Sequence, residues 1–247
     1  MPTGTKTEGP FVEEWRRLRL QRAIPALARH DYLYKLALES LRERLDFVTQ
    51  RFENILFLGH EFAARSMFHA CDIESVAFLP ARAQPQSYDL IISFFQLHQA
   101  NDVPGLLRQY HAMLRKNGLF MACCFGENTL HELREALMQA EVLTRGGAAQ
   151  RTLPMIGLRD AAALLQHTGF DGPVADGETV QASYPHLFSL LHDLRGMAET
   201  NLTSGARQPL SRRALAEACK GYAEKYSNKN NQLQATFDVL FWHGWRA

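Results

Sequence analysis

The residues best suited to chemistry follow two short apolar runs. Gly59-His60-Glu61 comes after Ile55-Leu56-Phe57-Leu58, and Phe94-Phe95-Gln96-Leu97-His98, then Asp102, comes after Tyr88-Asp89-Leu90-Ile91-Ile92-Ser93. Gly59 lets backbone approach a bound molecule, because glycine has no Cβ and tolerates unusual φ. His60 is a lone polar side chain in that turn, placed to touch a ligand or to face solvent. His98 suits a general base or a substrate contact, since imidazole titrates near neutrality. A structural hydrogen bond is its plainer role. Asp102 precedes Pro104, where an aspartate caps a helix, and it is also a candidate catalytic carboxylate. Asp193, Arg195 and Glu199 are spaced by two and four residues, as on a salt-bridged helix face open to solvent.

Several chemistries are excluded. G-x-S-x-G, G-x-x-x-x-G-K-[ST] and H-E-x-x-H do not occur, so the usual hydrolase, phosphate-loop and zinc-protease signatures are missing. Cys71, Cys123, Cys124 and Cys219 form no C-x-x-C pair, which argues against zinc, and their usage suits a reducing compartment. With 27 Lys and Arg against 26 Asp and Glu, there is no basic surplus to draw nucleic acid or an anionic membrane. No apolar run approaches the roughly 20 residues that span a bilayer. Met1 to Pro10 lacks the apolar stretch of a secretory signal, and residues 1–14 read as a flexible tail. Trp15 to Arg29 is arginine-rich, which leaves a mitochondrial presequence open beside a bacterial cytoplasmic location.

The elements that must position these residues alternate in type. Leu33, Leu36, Ala37, Leu41, Leu45 and Val48 recur at helical spacing, predicting a helix over 31–50 with Asp31 as cap. Residues 55–58, 88–93 and 119–124 read as strands of the kind buried in parallel sheets, built around the apolar stretches Ile55–Leu58, Leu90–Ile92 and Leu119–Cys124. Helices are predicted over 61–70, 103–115, 128–142 and 158–168. Asn128 is the expected cap of the third, and Asn117-Gly118 the expected stop of the second. Ser75 to Leu79 reads as a strand, with Asp72 before it in a helix end or loop. Later come a strand at 179–182, helices at 186–197 and 211–226, and a final strand at 235–245. Strand–helix alternation predicts an α/β fold: a mainly parallel sheet with helices on both faces and antiparallel C-terminal edge strands. Residues 15–247 are expected to form one domain.

The order of these motifs resembles the class I S-adenosylmethionine-dependent methyltransferases. The residues that carry the likeness are Leu58-Gly59, the run 88–93, Leu97-His98, Asn101-Asp102, Pro104 and Leu114-Arg115-Lys116-Asn117-Gly118-Leu119-Phe120. The C-terminal half sharpens it through Phe125-Gly126-Glu127-Asn128-Thr129-Leu130-His131-Glu132-Leu133-Arg134, Tyr184-Pro185, Asp193-Leu194-Arg195-Gly196-Met197-Ala198-Glu199-Thr200-Asn201 and Gly244-Trp245. Together they are similar to the branch that includes complex I assembly factor 5 and its alphaproteobacterial relatives, with malonyl-carrier-protein methyltransferases as more distant cousins. The resemblance implies S-adenosylmethionine as cofactor, contacted by Gly59, His60, Ser93 and Phe94, and a protein partner in respiratory complex assembly. Where the family has D-x-G-x-G-x-G, this chain has Phe57-Leu58-Gly59-His60-Glu61-Phe62-Ala63. The acid and the middle glycine are replaced, and no acid follows the second strand to hold the ribose. From Gly59 to Asp89 is 89 − 59 = 30 positions, whereas two strand–helix units need about 45. About one unit is therefore shortened or missing. These departures predict weak or lost cofactor binding and a role through protein binding. An active methyltransferase, or the protein-arginine hydroxylase that the family implies, is the alternative.

Overall fold

The computed structural model describes residues 9–68, 72–76, 84–203 and 209–247. The chain groups into two compact units. The first comprises 32–127, 155–178 and 239–247; the second comprises 128–154, 179–238 and the described part of 1–31.

In the first unit, the apolar runs become strands because both of their faces can be buried. β1 (Asn54–Leu58) pairs in parallel with β2 (Asp72–Val76) on one side and β3 (Tyr88–Phe94) on the other. β3 pairs in parallel with β4 (Leu114–Phe125). β6 (Leu233–Trp245) runs antiparallel to β4, with Leu119 opposite Trp245 and Phe125 opposite Val239. β5 (Asp171–Tyr184) completes the order β2-β1-β3-β4-β6-β5. This is the parallel core with an antiparallel C-terminal strand that the sequence predicts. Between β1 and β3 the described residues hold one strand and one helix, α3 (Glu61–Met67).

α2 (Tyr32–Asp46), α4 (Val103–Met113) and α6 (Leu158–His167) supply the covering helices. Leu56, Leu58, Ile91, Phe120, Ala122, Leu240 and Trp242 share a buried core with Leu107 and Tyr110 of α4 and Ala161 and Leu165 of α6. At roughly 25 cal/mol per Å² of apolar surface, burial of this kind is the main force holding sheet and helices together. No helix among the described residues is long and apolar enough to cross a membrane.

In the second unit, α5 (His131–Arg145) packs on α8 (Arg212–Tyr226). Buried Glu132 accepts from the Thr236 backbone N–H at 3.2 Å and from the Thr236 hydroxyl. Buried Glu141 accepts from Arg151 Nε at 3.2 Å and from the Ala149 N–H at 2.9 Å, fixing the loop that begins at Gly146. α1 (Glu13–Ala23), the 3-10 turn Ile24–Arg29 and α7 (Leu187–Gly196) also belong here. Phe11, read from the sequence as part of a loose tail, is buried and bridges to Thr203.

Four local expectations are corrected. Asp72 is the first residue of β2, opposite Asn54, because β2 starts three residues earlier than its apolar stretch suggests; the expected residues 77–79 lie outside the described ones. α4 stops at Met113, so Asn117-Gly118 is an irregularity inside β4, with Asn117 at φ +62° donating its N–H to Arg246 O at 2.7 Å. Asn128 does not cap α5. Leu130 does, in left-handed conformation at φ +54°, because its N–H is drawn to Thr236 O at 2.7 Å. The short strand at 179–182 is the end of the 14-residue β5.

Candidate functional site

The ends of β1 and β3 bring four of the sequence-predicted residues together within the first unit. Gly59 leaves β1 at φ +152°, and a Cβ built on it would lie 2.8 Å from Phe94 O and 2.9 Å from Phe94 Cβ. The glycine is thus required by the neighbouring strand itself. Phe57, standing where the family motif has an acid, packs on Phe94 with ring centroids 5.7 Å apart. Phe94 meets Phe95 edge-on at 5.0 Å, and Tyr34 of α2 reaches Phe95 at 4.7 Å and His60 at 4.9 Å. Phe95 also contacts Phe125 at 4.7 Å, and Phe125 contacts the His98 ring at 5.4 Å. Tyr34, Phe57, Phe94, Phe95 and Phe125 are all at most 3% exposed. Strand geometry explains the convergence. Successive side chains alternate faces, so Ile55 and Phe57 oppose Leu56 and Leu58, which join the α4 core.

Ser93 and Phe94 therefore point to opposite faces of β3. Ser93 is fully buried in register with Leu58 and Ala122, and Ala122 lies opposite Trp242. The Ser93 hydroxyl and the Trp242 indole N–H are buried without a hydrogen-bond partner among the described residues. His98 is 2% exposed in a 3-10 turn, Leu97–Gln99, walled by Phe95 and Phe125. Asp102 is exposed, and its carboxylate accepts the Gly105 N–H at 2.8 Å, the cap of α4. Glu61, in place of the second motif glycine, points outward and bonds Arg65 Nε at 3.0 Å.

Burial governs the electrostatics here. The Cys123 thiol, opposite Phe94 on β4, is pushed far up by desolvation. At the other end of β3, burial raises and hydrogen bonds from Asn54 and Arg115 lower the Asp89 carboxyl, with a net downward shift. Asp89 is thereby tied to strand starts rather than to the ligand edge. Tyr88, buried in part and bonded to Glu74, is raised to about 12.

The second unit carries a constellation that sequence reasoning did not assemble. An open cleft of about 530 Å³ is lined by Tyr184, His186, Phe188, Ser189, His192 and Asp193. The Tyr184 hydroxyl donates to Asp193 Oδ2 at 2.9 Å, and His30 Nδ1 lies 2.5 Å from Asp193 Oδ1. The His30 ring meets His192 edge-on at 4.9 Å, over Gly196, where any Cβ would come within 2.1 Å of His30 Cδ2. His186 caps α7 by accepting the Ser189 N–H at 3.1 Å. The motif residues Tyr184, Asp193 and Gly196 gave the signal, but His30 is 163 positions away from Asp193 and carries none. Arg195 is exposed and Glu199 buried, so the expected solvated face holds only for the first of the two.

No family model matches the chain. It is 36% identical over 169 residues to the mouse mitochondrial arginine-hydroxylase NDUFAF5, covering 68% of this chain and 49% of that protein. To the human protein of the same name it is 34% identical over 169 residues, covering 68% and 48%. The malonyl-[acyl-carrier protein] O-methyltransferase of Nitrosospira multiformis is 26% identical over 206 residues, covering 83% and 63%. The chain spans about half the length of the NDUFAF5 relatives. Among solved structures, the YcgJ protein of Bacillus subtilis superposes with a TM-score of 0.51 at 12% identity, covering 84% of this chain and 98% of that one, a likeness of fold. Sheet order, strand directions and sequence kinship define a class I methyltransferase fold. Within that class, the chain is similar in sequence to the NDUFAF5 proteins, at 35–36% identity over about two thirds of its length.

Proposed function

We propose that this chain is a methyltransferase-fold protein of the NDUFAF5 type that binds S-adenosylmethionine weakly or not at all and acts by binding a protein partner in respiratory complex assembly. The observation that carries this reading is the aromatic cluster at the ends of β1 and β3. Gly59 is closed by Phe94 backbone, and five buried rings fill the region beside it. A nucleoside cofactor in such folds lies across the carboxyl ends of the strands and needs polar partners there. Phe57 offers none. Loss of one charged hydrogen bond to the ribose is worth about 1.5–3 kcal/mol, a factor of roughly 10 to 150 in affinity. The location that goes with this reading is the bacterial cytoplasm, or the mitochondrial matrix in keeping with relatives named as mitochondrial.

Calorimetric titration with S-adenosylmethionine and S-adenosylhomocysteine is the test. Absence of saturation up to about 1 mM is the expected result. A dissociation constant below about 10 μM, or cofactor carried through purification, overturns it. The second reading is an active enzyme. His98 favours it, since it stands after β3 beside Phe95 and Phe125, and the relatives are named as hydroxylases and methyltransferases.

A further inference from the structure

We propose that the outer edge of β5 over residues 171–178 is where two copies of this chain pair, antiparallel and about a twofold axis at Val174. The inference goes beyond the functional reading and does not depend on it.

The edge is open. β5 is the last strand in the sheet order, with β6 as its one strand neighbour among the described residues. Asp171, Gly172, Val174, Gly177 and Glu178 are exposed. The unpaired N–H and C=O groups of such an edge are a template for another strand. Its α2 face also carries apolar surface. Arg44 of α2 bonds Asp176 at 3.2 Å, and Ser40 bonds Glu178 at 2.8 Å. Four residues along the helix thus match two along the strand, and the next step brings Val48 level with Val174. Phe47, which follows α2 at that level, is 88% exposed, and Val174 is 43% exposed. Apolar side chains left in solvent beside an open strand edge mark a surface that another chain covers.

The strand's own sequence selects a second copy as the occupant. Pairing β5 with itself about Val174 sets Val174 against its counterpart, Asp176 against Gly172 and Asp171 against Gly177. Both acids then face a residue without a side chain, and Asp176 keeps its ion pair with Arg44 of its own copy. A slip of one residue in either direction sets Asp171 against Asp176 or against Glu178, and like charges directly opposite are destabilising. A twofold contact needs this kind of self-matching patch. Side chains two apart in a strand point the same way. Val174 therefore shares the face of Asp176 and Glu178, and the twofold brings the Phe47 rings of both copies to that side of the joined sheet. Pro173 has no N–H to give, so the ladder is short and the apolar contacts carry much of the affinity.

The test uses the full chain. Sedimentation over about 1–100 μM should show monomers giving way to dimers as concentration rises. Phe47→Ser should weaken the dimer at least about fivefold. Val174→Lys, which sets two ammonium groups opposite each other, should leave monomer throughout. Both native side chains are exposed, and an unaltered circular-dichroism spectrum checks that each variant folds. Val174→Cys reads the register. Its two copies would lie about 4.5–5.5 Å apart between Cα atoms, within disulfide reach. Glutathione disulfide should then oxidise the two thiols to a cross-link, taking up their two electrons and two protons. Glu178→Cys, about 26 Å from its counterpart at about 3.3 Å per residue, should not cross-link. The native cysteines are common to both variants, and the wild type gives their background. Monomer over the whole range, which would leave this edge to a different protein, overturns the proposal. So does a dimer that survives Val174→Lys, or equal cross-linking of the two cysteine variants.

Discussion

Gly59 lies against Phe94 so closely that a Cβ on the glycine would sit 2.8 Å from the Phe94 carbonyl oxygen. The turn glycine of this fold is therefore spent on the contact between two parallel strands. Its φ of +152° also lies where side chains are strained. Gly59→Ala should destabilise the protein by about 1–3 kcal/mol, read as a lower midpoint in urea. Gly59→Val should be worse. An unchanged midpoint for Gly59→Ala would show that the turn has more room than this geometry allows.

Tyr34 and Phe57 form the inner part of the aromatic cluster, both 0% exposed. Truncating either to alanine leaves a cavity among rings that cannot all collapse. Each variant should lose about 3–5 kcal/mol. Phe57→Leu, which keeps apolar volume, should lose much less. If Phe57→Ala and Phe57→Leu had equal midpoints, ring packing would not be what stabilises this region.

Asp102 acts as a helix cap by accepting the Gly105 N–H, and a Cβ on Gly105 would fall 2.0 Å from Asp102 Oδ2, so a side chain there would push the exposed carboxylate aside. Asp102→Ala should cost about 1 kcal/mol, and Asp102→Ser should restore most of it. A variant with full stability but altered activity would instead assign Asp102 to chemistry.

Glu141 is buried, and its carboxyl is held low foremost by the hydrogen bond from Arg151, against the cost of burial. A carboxyl lowered on folding stabilises the native state above its unfolded value of 4.5 and loses that contribution as pH falls below it toward the folded value. Glu141→Gln should remove about 1.5–3 kcal/mol at neutral pH. The gap from wild type should narrow in guanidinium melts below about pH 4. A gap that does not change with pH would exclude the ion pair as its origin.

His243 on β6 and His111 on α4 both titrate below 6.5, in each case chiefly through burial, with Arg44 near the first and Arg246 near the second adding to it; Asp176 opposes for His243, and Gly169 and Asp171 oppose for His111. The unfolded chain takes up these protons first, so stability is complete above about pH 6.5 and declines as pH falls from there through the folded values. The double variant His111→Gln with His243→Gln should show a flatter stability profile between about pH 7.5 and 5.5 than the wild type. Identical slopes would place the acid sensitivity elsewhere.

The sequence by itself determined the type of the central strands β1, β3 and β4 and of the helices α2, α4 and α6 that cover them. Period is local. Ile55 to Leu58, Leu90 to Ile92 and Leu119 to Cys124 are apolar at every position, so only burial on both faces suits them, and the helical spacing of Leu33, Ala37 and Leu41 needs one covered side. The replacement of the motif acid by Phe57 was equally legible. Tertiary structure alone decided what surrounds Phe57 and Gly59. Phe57 meets Phe94 only through strand pairing, and Tyr34 reaches Phe95 only because α2 packs beside the sheet. Boundaries failed where a distant partner overrode local preference: Leu130 is left-handed because Thr236 accepts its N–H, and β4 begins early because Leu114 pairs with Tyr88. The His30–Asp193 contact joins residues 163 apart, and no local pattern encodes it, since a side-chain pair at that separation exists only once the intervening chain has folded.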